Sequence, residues 1–252
     1  MLAVAETRFA STIVMIKRLR AIKHALQSMV ISEEWSLYKE GDVLRAAYLK
    51  ETILKDIWWD TVDYVLSFTK PIYDMLHACD TDEPTLHLVH ERWDSMIEHV
   101  KLAIYQHESK ELNQHSSFYE VVYNILIDRQ TKSYAPLHCL AHSLNPRYYC
   151  REWLEEAPNR VPPHDDNEMC TGRNKCLTIY FPDAKERLEA TTEFAKFSSP
   201  GKELDQFDCL PHRWNLEPRG WWVIHGAAIP KLQNIALKLL SQPSSSCCCE
   251  RN

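Results

Sequence analysis

The sequence predicts an all-α fold with little or no sheet, and three observations predict it. Apolar residues recur at three- and four-residue spacing along most of the chain, the period of a helix with one buried face. Only 5 of the 252 residues are glycine, against an average usage of roughly 7%. Scarce glycine leaves few positions for the positive-φ turns that hairpin-rich architectures need. No run of strands is visible, so at least two-thirds of the ordered residues are expected to be helical.

The elements follow in order. Phe9, Ile13, Ile16, Leu19, Ile22, Leu26 and Met29 form one stripe of an amphipathic helix of about five or six turns. Asp42 is placed to cap a second helix, from Val43 to about Lys55. A third spans Asp56 to Cys79, where Pro71 is expected to kink or break it. Thr81-Asp82-Glu83-Pro84 reads as a helix start, with acids and a proline in the first turn. The stripe that follows, Leu86, Val89, Trp93, Ile97, Val100 and Ile104, is the clearest helical period in the chain. Shorter helices are expected from Phe118 to about Gln130 and from Pro136 to Ser143, the latter ended by Asn145-Pro146. A loop is expected over about 155–175, because Pro158, Pro162-Pro163 and Asp165-Asp166-Asn167 break the pattern. Helix returns from about Pro182 to Phe197, an irregular stretch leads to Gly220, and Lys231 to Ser241 is the last helix.

Composition limits the function classes. A net charge of −6 and a pI near 6.1 weigh against a generic nucleic-acid surface, which needs a basic domain. Nine cysteines in a chain this long, with no secretory leader, are not a disulfide framework. No stretch approaches the roughly 18–20 apolar residues of a membrane span. These features point to a soluble protein of a reducing compartment.

Few residues suggest chemistry on their own. The basic run Lys17, Arg18, Arg20 and Lys23 could attract nucleic acid or could be a solvated helix face. His138-Cys139-x-x-His142, Cys170 with Cys176, and Cys247-Cys248-Cys249 lack the paired spacing of structural zinc and read as packing or free thiols. No phosphate-cradling glycine loop and no Gly-x-Ser-x-Gly elbow is present.

The C-terminal line carries the most information. Trp221-Trp222, a Pro230-started amphipathic helix, a Pro-Ser-Ser-Ser break and Glu250-Arg251-Asn252 closely resemble the C-terminal signature of hAT-type (Ac-like) transposases, particularly plant transposon-derived proteins. Thr7-Arg8-Phe9, Ile57-Trp58-Trp59, Lys70-Pro71-Ile72, His77-Ala78-Cys79-Asp80 and Pro136-Leu137-His138 are similar to further blocks of that family. So is Leu144-Asn145-Pro146-Arg147-Tyr148-Tyr149, and all of them stand in the family's order.

The resemblance implies an RNase H-like transposase interrupted by a helical insertion. Residues 1–210 would be insertion-type, and 211–252 a truncated dimerisation segment at the C-terminal edge of the RNase H-like part. It implies Glu250 as the vestigial third carboxylate of a metal-binding triad and Arg8 as a DNA-contact candidate. With the upstream aspartates and DNA-recognition finger lacking a counterpart here, no enzyme activity and no cofactor are expected. Mg²⁺ or Mn²⁺ would enter only with the full site.

Dimerisation is expected through Trp221, Trp222, Leu232, Ile235, Ala236, Leu239 and Leu240. For the tryptophan pair, internal packing and an interface both stay open. The apolar stripe after Pro230 is expected to lose part of its cover, and Trp222→Asp or Leu239→Asp to abolish pairing without unfolding the rest. The partner would be a second copy or a related transposase-like protein, in the nucleus or else the cytoplasm. The alternatives are a fragment of an intact DDE transposase and a helical nucleic-acid-binding module.

Overall fold

A computed structural model describes residues 9–37, 43–158, 160–199 and 209–244. It is 79% helical, with no strand among the described residues. These residues fall into two compact units, one within Met1–Leu76 and Ser95–Leu126, the other within His77–Asp94 and Ile127–Asn252.

The first unit opens with α1 (Phe9–Ala21) and α2 (Lys23–Ile31), separated at Ile22 (φ −96°, ψ 13°) where one long helix was expected. Of the expected stripe Ile13 is buried, while Ile22 and Met29 are exposed. Next come α3 (Glu33–Leu37) and α4 (Val43–Leu54), then α5 (Asp56–Cys79). Asp42, the expected cap of α4, lies outside the described residues. Pro71 does not break α5: a proline removes one backbone bond, and the burial of Trp59 and Met75 on either side holds the helix together. Trp59 Nε1 donates to the Ile53 carbonyl at 2.7 Å, satisfying one of the acceptors that the end of α4 leaves open. Two further helices, α6 (Val89–His107) and α7 (Ser117–Ser133), supply Met96, Val100, Ile104 and Leu126 to this unit's core.

The second unit holds the remaining core. Thr81 does not cap a helix; its Oγ1 donates to the Ala78 carbonyl at 3.2 Å and closes the end of α5. The chain re-enters helix through a 3₁₀ turn at Leu86–Leu88, where Leu86 N donates to the Gln242 carbonyl at 3.1 Å. A contact with the C-terminal segment sets this start, so a local cap is not needed.

Beyond these lie α8 (Pro136–Ser143), α9 (Arg151–Glu155), α10 (Asn167–Tyr180) and α11 (Ala184–Ser198). Then follow α12 (Cys209–Asn215), α13 (Pro218–His225) and α14 (Pro230–Leu239). The expected loop over 155–175 is thus too long. Asp166 accepts a bond from Met169 N at 2.9 Å and starts α10 from within the acidic run. The stretch expected to be irregular up to Gly220 contains α12 and the first turn of α13. Helices α8 and α10 cross closely at Gly172, where an added Cβ would lie 2.2 Å from Cys139 Sγ.

Candidate dimerisation segment

Three short helices, α12 to α14, build the C-terminal segment, and each start has a local cause. Glu217 accepts bonds from Arg219 N at 3.2 Å and Gly220 N at 2.9 Å, capping α13. Pro218 and Pro230 occupy first-turn positions, where a missing N–H costs nothing. Gly226 between α13 and α14 is held tight: a Cβ there would meet Gln233 Cγ at 2.7 Å. Gln233 Nε2 in turn donates to the Trp222 carbonyl at 2.8 Å.

The tryptophan pair faces inward. Trp221 and Trp222 meet edge to face, 5.2 Å between ring centroids, and both pack on Phe197 of α11. Each indole N–H finds a buried acceptor: Trp221 donates to the Cys209 carbonyl at 3.1 Å, Trp222 to the Leu144 carbonyl at 2.7 Å. A buried indole left without a partner would cost roughly 1–3 kcal/mol, so these bonds fix both rings.

All seven residues expected to pair with a partner are buried: Trp221, Trp222, Leu232, Ile235, Ala236, Leu239 and Leu240. The α14 stripe belongs to the same cluster as Leu140, Leu144, Leu177, Phe194 and Phe197. Its cover therefore comes from within the chain, and the expected bare stripe is absent. Trp222→Asp and Leu239→Asp would place a charge in the core, so they cannot separate pairing from folding.

The accessible apolar side chains of the segment are others. Val223 and Ile224 of α13 are 55% and 59% exposed, and Leu210 of α12 is 40% exposed. The polar side of α14 is pinned by Lys231, whose Nζ lies 2.8 Å from Glu189. Glu193 accepts from Leu232 N at 2.8 Å and ties the start of α14 to α11.

One buried group escaped the sequence reading. Arg213 is 2% exposed and has no ion pair among the described residues. It donates to the Phe197 carbonyl at 2.5 Å and is caged by the rings of Tyr149, Phe197 and Trp221 at 4.8–5.5 Å. Burial lowers its pKa, opposed by the nearby Cys209, Cys150 and Tyr149. Nothing in the spacing around Arg213 marks it, because its cage comes from three separate elements.

The other expected residues are placed as follows. Arg8, Glu250 and Cys247–Cys249 lie outside the described residues. Within the basic run, Lys17 sits 4.0 Å over the Tyr73 ring, Arg20 pairs with Asp63 at 2.5 Å and Lys23 with Asp56 at 3.4 Å. Cys139 packs against Gly172, Cys176 is in the core, and Cys170 Sγ donates to the His164 carbonyl at 3.1 Å. His142 is buried and stacks on Tyr148, centroids 4.1 Å apart. Among the described residues no group of three or more His, Cys, Asp or Glu is placed to hold a metal ion. No described helix is long and apolar enough to cross a membrane.

No curated protein and no solved structure matches the chain. Residues 202–252 do match a family model, that of the hAT family C-terminal dimerisation region. The match covers α12, α13 and α14, the helices that carry the tryptophan pair and the inward stripe, so this segment is similar to that region and supports an hAT-type, transposase-derived protein.

Proposed function

We propose that the chain acts by association, pairing with a second copy or with a related transposase-like protein, and that it is not itself a nuclease. The observation that carries this reading is the match of residues 202–252 to a dimerisation region. Since the inward residues are occupied by the fold, the pairing surface is the outer side of α12 and α13, centred on Val223, Ile224 and Leu210. Adjacent exposed aliphatic residues on a rigid segment suit the core of such an interface. Light scattering over a concentration series tests it: a dimer that Ile224→Asp dissolves supports the reading, and a strict monomer contradicts it.

The remaining attributions rest on the motif resemblance. The upstream helices are read as the insertion of an RNase H-like transposase, and the location as nuclear. Glu250 is a single family-matched carboxylate, whereas phosphodiester chemistry with two metal ions needs several converging acids. Metal-dependent cleavage of transposon-end DNA by the purified chain, lost in Glu250→Gln, would overturn the non-catalytic reading.

A further inference from the structure

Two histidines of the C-terminal segment meet where α12 and α13 pack together. His212 Nδ1 and His225 Nε2 are 3.0 Å apart, with ring centroids at 5.2 Å and 44° between the ring planes. Both side chains are half-buried, and His225 rests on the Trp221 ring at 5.4 Å between centroids. At this distance one nitrogen donates a proton and the other accepts it, so at least one ring is neutral. His225 is held below the ordinary histidine range by burial first, then by His212 and Arg213. It is therefore neutral at neutral pH.

The same separation suits a metal ion. Two imidazole nitrogens, each about 2.0–2.1 Å from one ion, stand about 2.9 Å apart at a right angle and about 3.3 Å apart at the tetrahedral angle. The observed 3.0 Å lies within that span, so a turn of each ring aims both nitrogens at one ion. Among the described residues no third His, Cys, Asp or Glu joins the pair. One chain thus supplies two of the four ligands that a closed zinc site uses.

The position of the pair shows where the other two can come from. His225 directly follows Ile224, and His212 stands two residues beyond Leu210. The pair therefore borders the surface proposed for dimerisation, and in a two-fold dimer the same patch meets itself.

We propose that His212 and His225 form half of a site for a divalent transition-metal ion such as Zn²⁺, which the same two histidines of a second copy complete. This inference rests on the pairing reading above. On binding, the proton between the two nitrogens moves through solvent to the other nitrogen of its own ring. Four neutral imidazoles then face the ion, a ligand set suited to zinc, copper or nickel. Arg213 opposes a cation here, so the nitrogen lone pairs hold the ion and the surrounding charge does not.

Sedimentation velocity and equilibrium dialysis of the full chain, stripped with chelator and then titrated with Zn²⁺ at pH 7.5, test the site. Zinc is expected to tighten the dimer at least tenfold and to bind at one ion per two chains. His212→Gln and His225→Gln should each abolish that tightening while keeping native circular dichroism and the metal-free pairing. His115→Gln, an exposed histidine of the other unit, should respond to zinc as the native chain does. A dimer indifferent to zinc overturns the site and leaves the pairing reading standing, whereas a chain monomeric with and without zinc overturns both. Tightening that survives in both histidine variants assigns the zinc to other ligands and overturns the site, as does a stoichiometry of one ion per chain.

Discussion

Trp222 Nε1 donates to the Leu144 carbonyl at 2.7 Å, across 78 residues of sequence. Leu144 opens the Leu-Asn-Pro-Arg-Tyr block and Trp222 belongs to the C-terminal segment, so two motifs that resemble the same family are joined by one buried bond. That bond gives the tryptophan pair its physical role, which is to lock α13 against the end of α8. Trp222→Phe keeps an aromatic ring but leaves the Leu144 carbonyl without this partner. We expect a loss of roughly 1–3 kcal/mol in urea-unfolding stability, with little change in helix content.

Gly172 gives a second prediction. Its added Cβ would stand 2.2 Å from Cys139 Sγ and 2.7 Å from Cys139 Cβ, both on the facing helix. Gly172→Ala should therefore destabilise the chain by about 1–3 kcal/mol, although alanine is the better helix former. Adding Cys139→Ala removes the sulfur but not the Cβ contact, so it should restore only part of the loss. Thermal melts of the single and double variants check the order.

Much of this arrangement was legible in the sequence, and the gaps have specific causes. The inward stripe of α14 and the Pro230 start could be read because both depend on a local period and a local proline. In the sequence Asp166 reads as part of a loop, because a capping aspartate looks like any acidic loop residue until its N–H partner is placed. Helices α12 and α13 leave no clear period in the sequence because they are 7 and 8 residues long, too short to form on propensity alone. The buried bonds of Arg213 and Trp221 hold them. Whether Trp221 and Trp222 face a partner or the core turns on the positions of Phe197, Leu144 and Cys209, which no spacing around the pair encodes.

Acid sensitivity follows from the buried histidines. His142 stacks on Tyr148 and meets the His90 ring edge to face, its Nδ1 without a partner. Its pKa is held well below the usual histidine range by burial first and by His90 second. His87 is pushed down to about 4 from an ordinary 6.5. In both, the unfolded chain takes up the proton more readily than the folded one. Stability is therefore full above about pH 6.5 and falls as the pH drops below it, for His87 until about pH 4. Each ring contributes a slope of about 1.4 kcal/mol per pH unit. Urea midpoints at pH 7 and pH 5 should differ accordingly, and His142→Phe should flatten the difference.

We propose that pairing uses the outer side of α12 and α13 while the tryptophan pair serves the core. Sedimentation velocity of the full chain and of Ile224→Asp, from low to high micromolar concentration, tests it most directly. We expect a concentration-dependent dimer for the native sequence, and a monomer with native circular dichroism for Ile224→Asp, while Trp222→Asp loses the fold itself. A native chain that stays monomeric at high micromolar concentration, or a dimer that Ile224→Asp leaves intact, would contradict it.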